Sequence, residues 1–538
     1  MGAMGGALGR GFVSFGLASG APEAHLDGAV LAGPWSWVRP SRTGSFGAAI
    51  LRPLEEDPVR SSTLIAASTL ALLPAAAAVA QPKPALEPGE LERLRGVVAQ
   101  IHSEALTQRQ TYGLLRDLCR TAPHRLSGSP GAAAAVEWAR QTMVRLGLER
   151  VRLEPVVVPH WVRGEVERLE LLEPLEAAGR LPILALGSSV ATPREGITAE
   201  VISVESFEEL KERAAAAKGK IVLFDHRFDA RLLNTFAGYS KAVRYRYDGA
   251  SEAARVGALA AIVRSMTPNV DDVPHTGNMG YAEGVPKIPT AAVSTKGAER
   301  ISRLLKQGKR VRLHLRLDCQ TLPDERSFNV VGELRGRELP DEVLVVGGHL
   351  DAWDVGQGAH DCGAGCTQSM TALALLKRLK LRPRRTLRCV LFMNEENGLG
   401  GGRAYAKDNA DELGKHLLAL ESDRGGFTPR GFTTNANPGA RAILDAIVGL
   451  LEPSGAGKLI SGYGGADIGP MAASGVVQLG YLPDSQRYFD LHHTREDTFD
   501  KIHWRELELG TAAMASLLYG VADLKVSLPR NPPAKKKD

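Results

Sequence analysis

From Ser327 onward the chain alternates short, near-continuous apolar runs with segments whose apolar residues recur at helical spacing. DEVLVVGGH (341–349), RTLRCVLFMN (385–394), HLLALESD (416–423) and VVQLGYL (476–482) are predicted strands. GCTQSMTALALLKRL (365–379), a segment starting near Gly402, GARAILDAIVGLLE (439–452) and the stretch from Trp504 to about Lys525 are predicted helices. Apolar runs that lack a polar alternation belong to strands buried on both faces. Strand and helix in alternation then predict an α/β fold, a mostly parallel central sheet with helices on both faces. Ligands of such sheets bind beyond the carboxyl ends of the strands.

Upstream, apolar residues fall at helical spacing from Glu90 to Cys119, a loop follows at 124–128, and a second helix is predicted from about Ala132 to Leu146. Between Pro155 and Pro323 the texture changes to short β-like runs, among them 219–225, 260–265, 289–294 and 311–317, separated by the helical patterns EAARVGA and KGAERISRLLKQGK. This predicts an inserted β-rich domain over 155–323, which splits the main domain into 89–154 and 324–527. The insert gathers no His, Asp, Glu or Cys at catalytic spacing, so it is expected to shape substrate access rather than to perform chemistry.

The ends read differently. Residues 1–58 are rich in Gly, Ala and Pro without a sustained period, which predicts a disordered or mis-assigned leader. Arg60, an apolar run over 63–80 and the small residues Ala78 and Ala80 form a signal peptide over 59–80, with cleavage after Ala80. The expected location is periplasmic or secreted. Pro74 and the Ala-rich run argue against a permanent membrane anchor. The segment 528–538, ending in Lys535-Lys536-Lys537, reads as a basic disordered tail.

A net charge of +5 over 538 residues excludes a nucleic-acid-coating protein. The basic cluster 377–388 sits at a helix end and the turn into a strand, where cations complement the helix dipole, and it lacks interleaved aromatics. No nucleic-acid partner is expected. Five scattered cysteines exclude a disulfide scaffold. Cys362 and Cys366 have no matching Cys or His pair for a structural zinc knuckle.

The predicted strand ends concentrate possible metal ligands: His349 and then Asp361, the pair Glu395-Glu396, Asp423, and the pair His492-His493. A lone strand-end Asp or His is usually a cap or loop hydrogen-bonder. Several on successive strand ends are not explained that way, and adjacent glutamates repel unless a cation lies near. The oxygen and nitrogen donors suit zinc. Two zinc ions need a shared carboxylate and two further ligands each. Asp361 as the bridge, His349 and Asp423 on one ion, and Glu396 and His493 on the other meet that count. Glu395 is then left beside the metals as a general base. Asp351 is placed to take the other imidazole N–H of His349 and fix its tautomer.

GGHLDAWDVGQGAHDCGAG, the Glu-Glu of NEENGLGG, ESDRGGF and HHTREDT resemble the signatures of the co-catalytic zinc exopeptidases, over roughly 90–525. The resemblance implies two zinc ions per chain, a bridging Asp at Asp361 and a catalytic Glu395 just before the ligand Glu396. It makes the insert a protease-associated domain. It selects His493 over His492, because the family's ligand directly precedes Thr or Ser. Relatives form dimers, so it also suggests a homodimer. Where the family has Asp-Asp-Gly this chain has Asp361-Cys362-Gly363, which sets a thiol beside the metals. His360 is read as structural or rim-lining, and Tyr463, in the loop 462–467, as a donor to substrate. The implied function is a secreted or periplasmic exopeptidase that hydrolyses dipeptides or terminal residues of short peptides, in the manner of a carboxypeptidase or dipeptidase. Three other readings share parts of the pattern: an aminopeptidase of the same family, a catalytically silent receptor-like relative, and a glutaminyl-cyclase-like single-zinc enzyme.

Overall fold

The computed structural model describes residues 86–534. The expected leader 1–58, the signal peptide 59–80 and Lys535–Lys537 lie outside the described residues. The architecture is mixed α/β, organised on two eight-stranded sheets.

The first sheet orders Glu149–Val162, Gln320–Leu334, Arg385–Phe392, Leu339–His349, His416–Glu421, Val477–Pro483, Pro429–Thr434 and Lys458–Ser461. Its four central strands, from Arg385–Phe392 to Val477–Pro483, run parallel. Antiparallel pairings flank them on both sides. Arg385–Phe392 is buried at every position and Leu339–His349 from Val343 onward, as continuous apolar runs require. Leu344, Leu387 and Leu418 of the strands pack with Leu373 of helix Ala364–Arg378 and Leu517 of helix Trp504–Ala522. Each such side chain contributes about 1.5–3 kcal/mol by leaving water. Parallel running also brings the carboxyl ends of neighbouring strands to one edge, with His349 opposite Phe392 and Gly347 opposite Glu421.

The second sheet orders Gly179–Leu181, Glu167–Glu173, Arg312–Leu317, Ile197–Val204, Ile221–Phe224, Ala260–Arg264, Thr290–Val293 and Ile183–Ala185. It buries apolar clusters of its own, one around Leu223 and Leu313 and another around Phe224 and Tyr245. The chain enters and leaves it along one antiparallel ribbon, in which Glu149–Val162 pairs with Gln320–Leu334 from Glu149 opposite Glu333 to Val162 opposite Gln320. The expected limits 155 and 323 therefore fall inside two continuous strands.

Two further expectations are corrected. The helical pattern over 90–119 is two helices, Pro88–Gln108 and Gln110–Thr121. They break at Arg109, which turns to φ 51° and lays its guanidinium 3.8 Å from the Trp504 ring centroid. The expected tail begins docked: Leu528 is buried, Arg530 donates to Leu413 O, and the Asn531 side chain accepts from Asn437 N. In the basic cluster, Arg385 and Arg388 are buried ion-pair partners of Glu342 and Glu333. Among the described residues no helix is long and apolar enough to cross a membrane.

Candidate metal centre

His349 ends a parallel strand, and the turn after the neighbouring strand carries Glu395 and Glu396. His349 Nε2 lies 3.1 Å from Asp361 Oδ1 and 3.1 Å from Asp423 Oδ1. The other Asp361 oxygen faces the opposite way, with Oδ2 3.3 Å from His493 Nε2. His493 Nε2 is also 3.0 Å from Glu396 Oε2. Asp361 thus stands between a His349–Asp423 group and a His493–Glu396 group. The five side chains expected as ligands converge, all but Asp423 deeply buried.

The supports of these side chains differ from expectation at Asp351. His349 Nδ1 bonds the backbone carbonyl of Asp351 at 3.0 Å, while its carboxylate lies 3.9 Å away. That carboxylate instead accepts from the backbone N–H groups of Asn394 (2.8 Å), Glu395 (3.1 Å) and Glu396 (3.3 Å). Three amides of one tight turn offer a buried carboxylate more than a single imidazole does. Asp351 therefore shapes the turn that presents both glutamates. Within this turn Asn394 holds φ 73°, in the left-handed region.

Sequence reasoning missed two supports. Asp497 accepts from the backbone N–H groups of His360 (2.8 Å) and Asp361 (3.1 Å), and so fixes the bridging residue from behind. Its position in HHTREDT, four residues past His493, was a usable signal. The second support is the insert. His493 Nδ1 faces Thr276 O at 3.2 Å, and Arg246 Nη1 lies 3.5 Å away. The neighbouring His492 stacks on His493 at 3.5 Å, and its carbonyl meets His275 Nδ1 at 2.8 Å. The insert supplies no side chain to the cluster, yet it aims one of its histidines. Nothing local in the sequence marks a backbone carbonyl 217 residues away.

The electrostatics follow from the same distances. Burial works against a charged His349, but Asp423 and Asp361 outweigh it and hold its pKa well above the usual value. Burial likewise opposes the charge on His493, yet Glu396 and Asp361 raise it to about 9. The two imidazoles overcome burial at Asp361 and hold its carboxyl well below the carboxylate range. Glu395 is pushed well upward by burial and by Asp423, Glu396 and Asp361, only partly offset by His349. Protons shared among crowded carboxylates and imidazoles mark a place where a cation satisfies the same atoms. Glu396 Oε1, buried without a hydrogen-bond partner among the described residues, is a further oxygen that such an ion would engage. The donor set fits zinc.

The remaining expected residues lie around this cluster. The Asp361–Cys362 peptide is cis, and Cys362 Sγ donates to Ser422 O at 2.9 Å. Burial pushes that thiol well above its ordinary pKa, and Sγ lies within 4.8 Å of the ligand atoms of His349 and Asp423. His360 stacks on Phe427 and accepts from Gly426 N, a structural role. Tyr463 is 48% exposed overall, and the partial desolvation of its phenol, together with the charges of Glu421, Asp467, Glu395 and Asp423, raises its pKa.

The sequence profile described as peptidase family M28 matches residues 329–518. Human carboxypeptidase Q is 42% identical over 424 residues, which are 79% of this chain and 88% of that protein. The chain belongs to peptidase family M28. A solved M28 peptidase precursor from Shewanella amazonensis SB2B is 35% identical, with a TM-score of 0.79, covering 82% of this chain and all of that one. A zinc aminopeptidase from Bacillus subtilis shares the fold, with a TM-score of 0.58 at 20% identity, over 78% of this chain and 97% of its own. As an M28 protein the chain is a zinc metallopeptidase, a hydrolase.

Proposed function

We propose that this M28 peptidase is a di-zinc exopeptidase that releases terminal residues from dipeptides and short peptides, in the manner of a carboxypeptidase or dipeptidase. The observation that carries the reading is Asp361, which turns one oxygen toward His349 and the other toward His493. Asp361 would be shared by the two ions, with His349 and Asp423 completing one site and Glu396 and His493 the other. Zinc held by these donors supplies a Lewis acid that polarises a carbonyl and acidifies water. Glu395 is the general base: it takes a proton from the attacking water and returns it to the leaving amine. Its half-buried carboxyl, surrounded by other carboxylates, is tuned upward toward that task. Asp351 holds the turn that presents Glu395 and Glu396 by accepting from their amides.

The reading extends to the rest of the chain. We take 155–323 as a protease-associated module, 59–80 as a cleaved export signal, a short peptide as the partner, and a homodimer as the assembly. The aminopeptidase alternative uses the same centre and differs in which peptide terminus is bound.

The test separates base from ligand. Glu395→Gln should keep two zinc ions and lose about a hundredfold to ten-thousandfold in kcat. Glu396→Gln should lose zinc and, through it, activity. Near-normal kcat in Glu395→Gln, or retention of both ions by an inactive Glu396→Gln, refutes the assignment.

A further inference from the structure

Arg424 follows Asp423 directly, at the carboxyl end of the His416–Glu421 strand. Its guanidinium is half-buried and, among the described residues, makes no hydrogen bond and no ion pair within 4 Å. Other arginines around the centre are engaged. Arg125 donates to Leu350 O and Gly358 O, and Arg246 to Tyr239 Oη and Asn278 O. Arg424 instead lies over a ring, 5.0 Å from the centroid of Phe236 on the insert's helix Thr235–Tyr247. Phe236 is itself stacked at 5.1 Å on Tyr488, of the short helix Tyr488–Leu491 that follows the last parallel strand, so this platform is held between the insert and the main domain. Asp423 and Tyr463 are near enough to act on the charge of Arg424. Asp423, its neighbour in the chain, sets Oδ1 3.1 Å from His349 Nε2, so Arg424 stands next to a residue of the centre itself.

A planar fork with its donors unspent, set over an aromatic ring beside a peptidase centre, is suited to a carboxylate. We propose that Arg424 binds the free α-carboxylate of the peptide substrate and so directs the enzyme to the carboxyl terminus. This rests on the exopeptidase reading above and supplies what that reading leaves open, namely which terminus is recognised. Tyr463, exposed beside it, would line the same subsite. Arg424 is a binding residue and takes no part in proton transfer.

The experiment compares a neutral dipeptide with its C-terminal amide, and with an amide whose last residue is Glu, on zinc-loaded enzyme. Wild type should favour the free acid. Arg424→Gln should lose about ten- to a hundredfold in kcat/KM on the acid, mainly through KM, and little on the neutral amide. Arg424→Lys should recover part of that loss, since it keeps the charge without the fork. A loss that follows the Glu side chain instead would overturn the α-carboxylate assignment. So would acid and amide falling together in both variants, or wild type cleaving the two equally in a zinc-dependent way. The last result would leave the exopeptidase reading standing. If no zinc-dependent hydrolysis of any dipeptide occurs, that reading fails, and calorimetry decides the fate of Arg424. Zinc-loaded Glu395→Gln protein should bind the acid more tightly than the amide, and adding Arg424→Gln should abolish the difference. Zinc content by mass spectrometry accompanies each variant. Should Arg424→Gln disturb Asp423 and lose metal, the acid-against-amide ratio of Arg424→Lys is the deciding measurement.

Discussion

Asp351 offers the sharpest test of how the centre is built. Its carboxylate is fully buried, and Oδ1 accepts from Asn394 N and Glu395 N while Oδ2 accepts from Glu396 N. Replacement by Ala strands three amide donors away from water. Each buried N–H left without a partner costs about 1–3 kcal/mol, and the low end for all three gives about 3 kcal/mol. Asn is milder. Its oxygen can keep the two bonds now made by Oδ1, while its amide group meets Glu396 N as donor against donor, for a loss of about 1–3 kcal/mol. Both changes leave the His349 imidazole on the Asp351 backbone carbonyl.

The damage should therefore appear on the glutamates. Asn394 sits at φ 73°, a conformation that its own bonds to Ser127 and Asn397 help to hold. Released from Asp351, the turn can relax and swing Glu395 and Glu396 out of register. The assays are urea unfolding, zinc stoichiometry and kcat on one dipeptide. Stability and bound zinc should fall in the order wild type, Asp351→Asn, Asp351→Ala. The reasoning fails if Asp351→Ala matches wild type in zinc content and midpoint, or if Asn is the more damaging change.

Two further predictions address distant supports. Gly277 follows Thr276 at φ 140°, and a Cβ there would lie 2.3 Å from Arg246 Nη1, so Gly277→Ala must displace Arg246 or the Thr276 carbonyl behind His493. Zinc affinity should drop about ten- to a hundredfold, and unchanged affinity by competition with a chelator would refute this link. Glu508 accepts from Thr111 Oγ1 and Tyr112 N, and burial raises its pKa from 4.5 to about 7. A carboxyl raised in the folded state holds its proton more tightly there than in the unfolded chain, so stability is lost as pH climbs from about 4.5 through 7. Glu508→Gln removes that slope: its stability relative to wild type should improve by up to about 3 kcal/mol between pH 4.5 and 8, and a pH-independent difference in urea midpoints would refute it.

What the sequence disclosed follows from which interactions are local. His349 and Glu396 were legible because each closes an apolar run that only a buried parallel strand explains, and parallel strands place their ends on one edge. Edge strands were not legible. Lys458–Ser461 is partly exposed and lacks an apolar run, and among the described residues it pairs only with Pro429–Thr434. The break at Arg109 was hidden because apolar spacing continues across it, and its partner Trp504 is supplied by another part of the chain. Asp351 was noticed for the wrong reason. Spacing suggested an imidazole partner, but backbone amides carry no mark in a sequence, and three of them took the carboxylate.

The insert shows why such a reading stops where it does. Lacking clustered ligand residues, it is expected to shape substrate access rather than to perform chemistry, and what it sets behind His493 is a carbonyl, which every residue possesses. Yet the two halves of the cluster rest on different foundations. His349 belongs to a central strand and is fixed by that strand's own hydrogen bonds. His493, at φ 61°, lies on a loop after the last parallel strand and depends on Thr276 O for the direction of its ring. Around it, Tyr239 of the insert stacks on Phe489 at 4.7 Å and meets His492 edge-on at 5.3 Å, so aromatic packing between the two sheets sits directly behind the ligand. Loosening that packing need not alter any ligand residue to alter the geometry at Nε2. The same contact surface carries Phe236, on which Arg424 rests. One junction between the sheets thus supports both a metal ligand and the proposed carboxylate-binding group. Substitutions at Tyr239 or Phe236 should therefore shift zinc affinity and substrate selectivity by different amounts, the first acting through His493 and the second through Arg424.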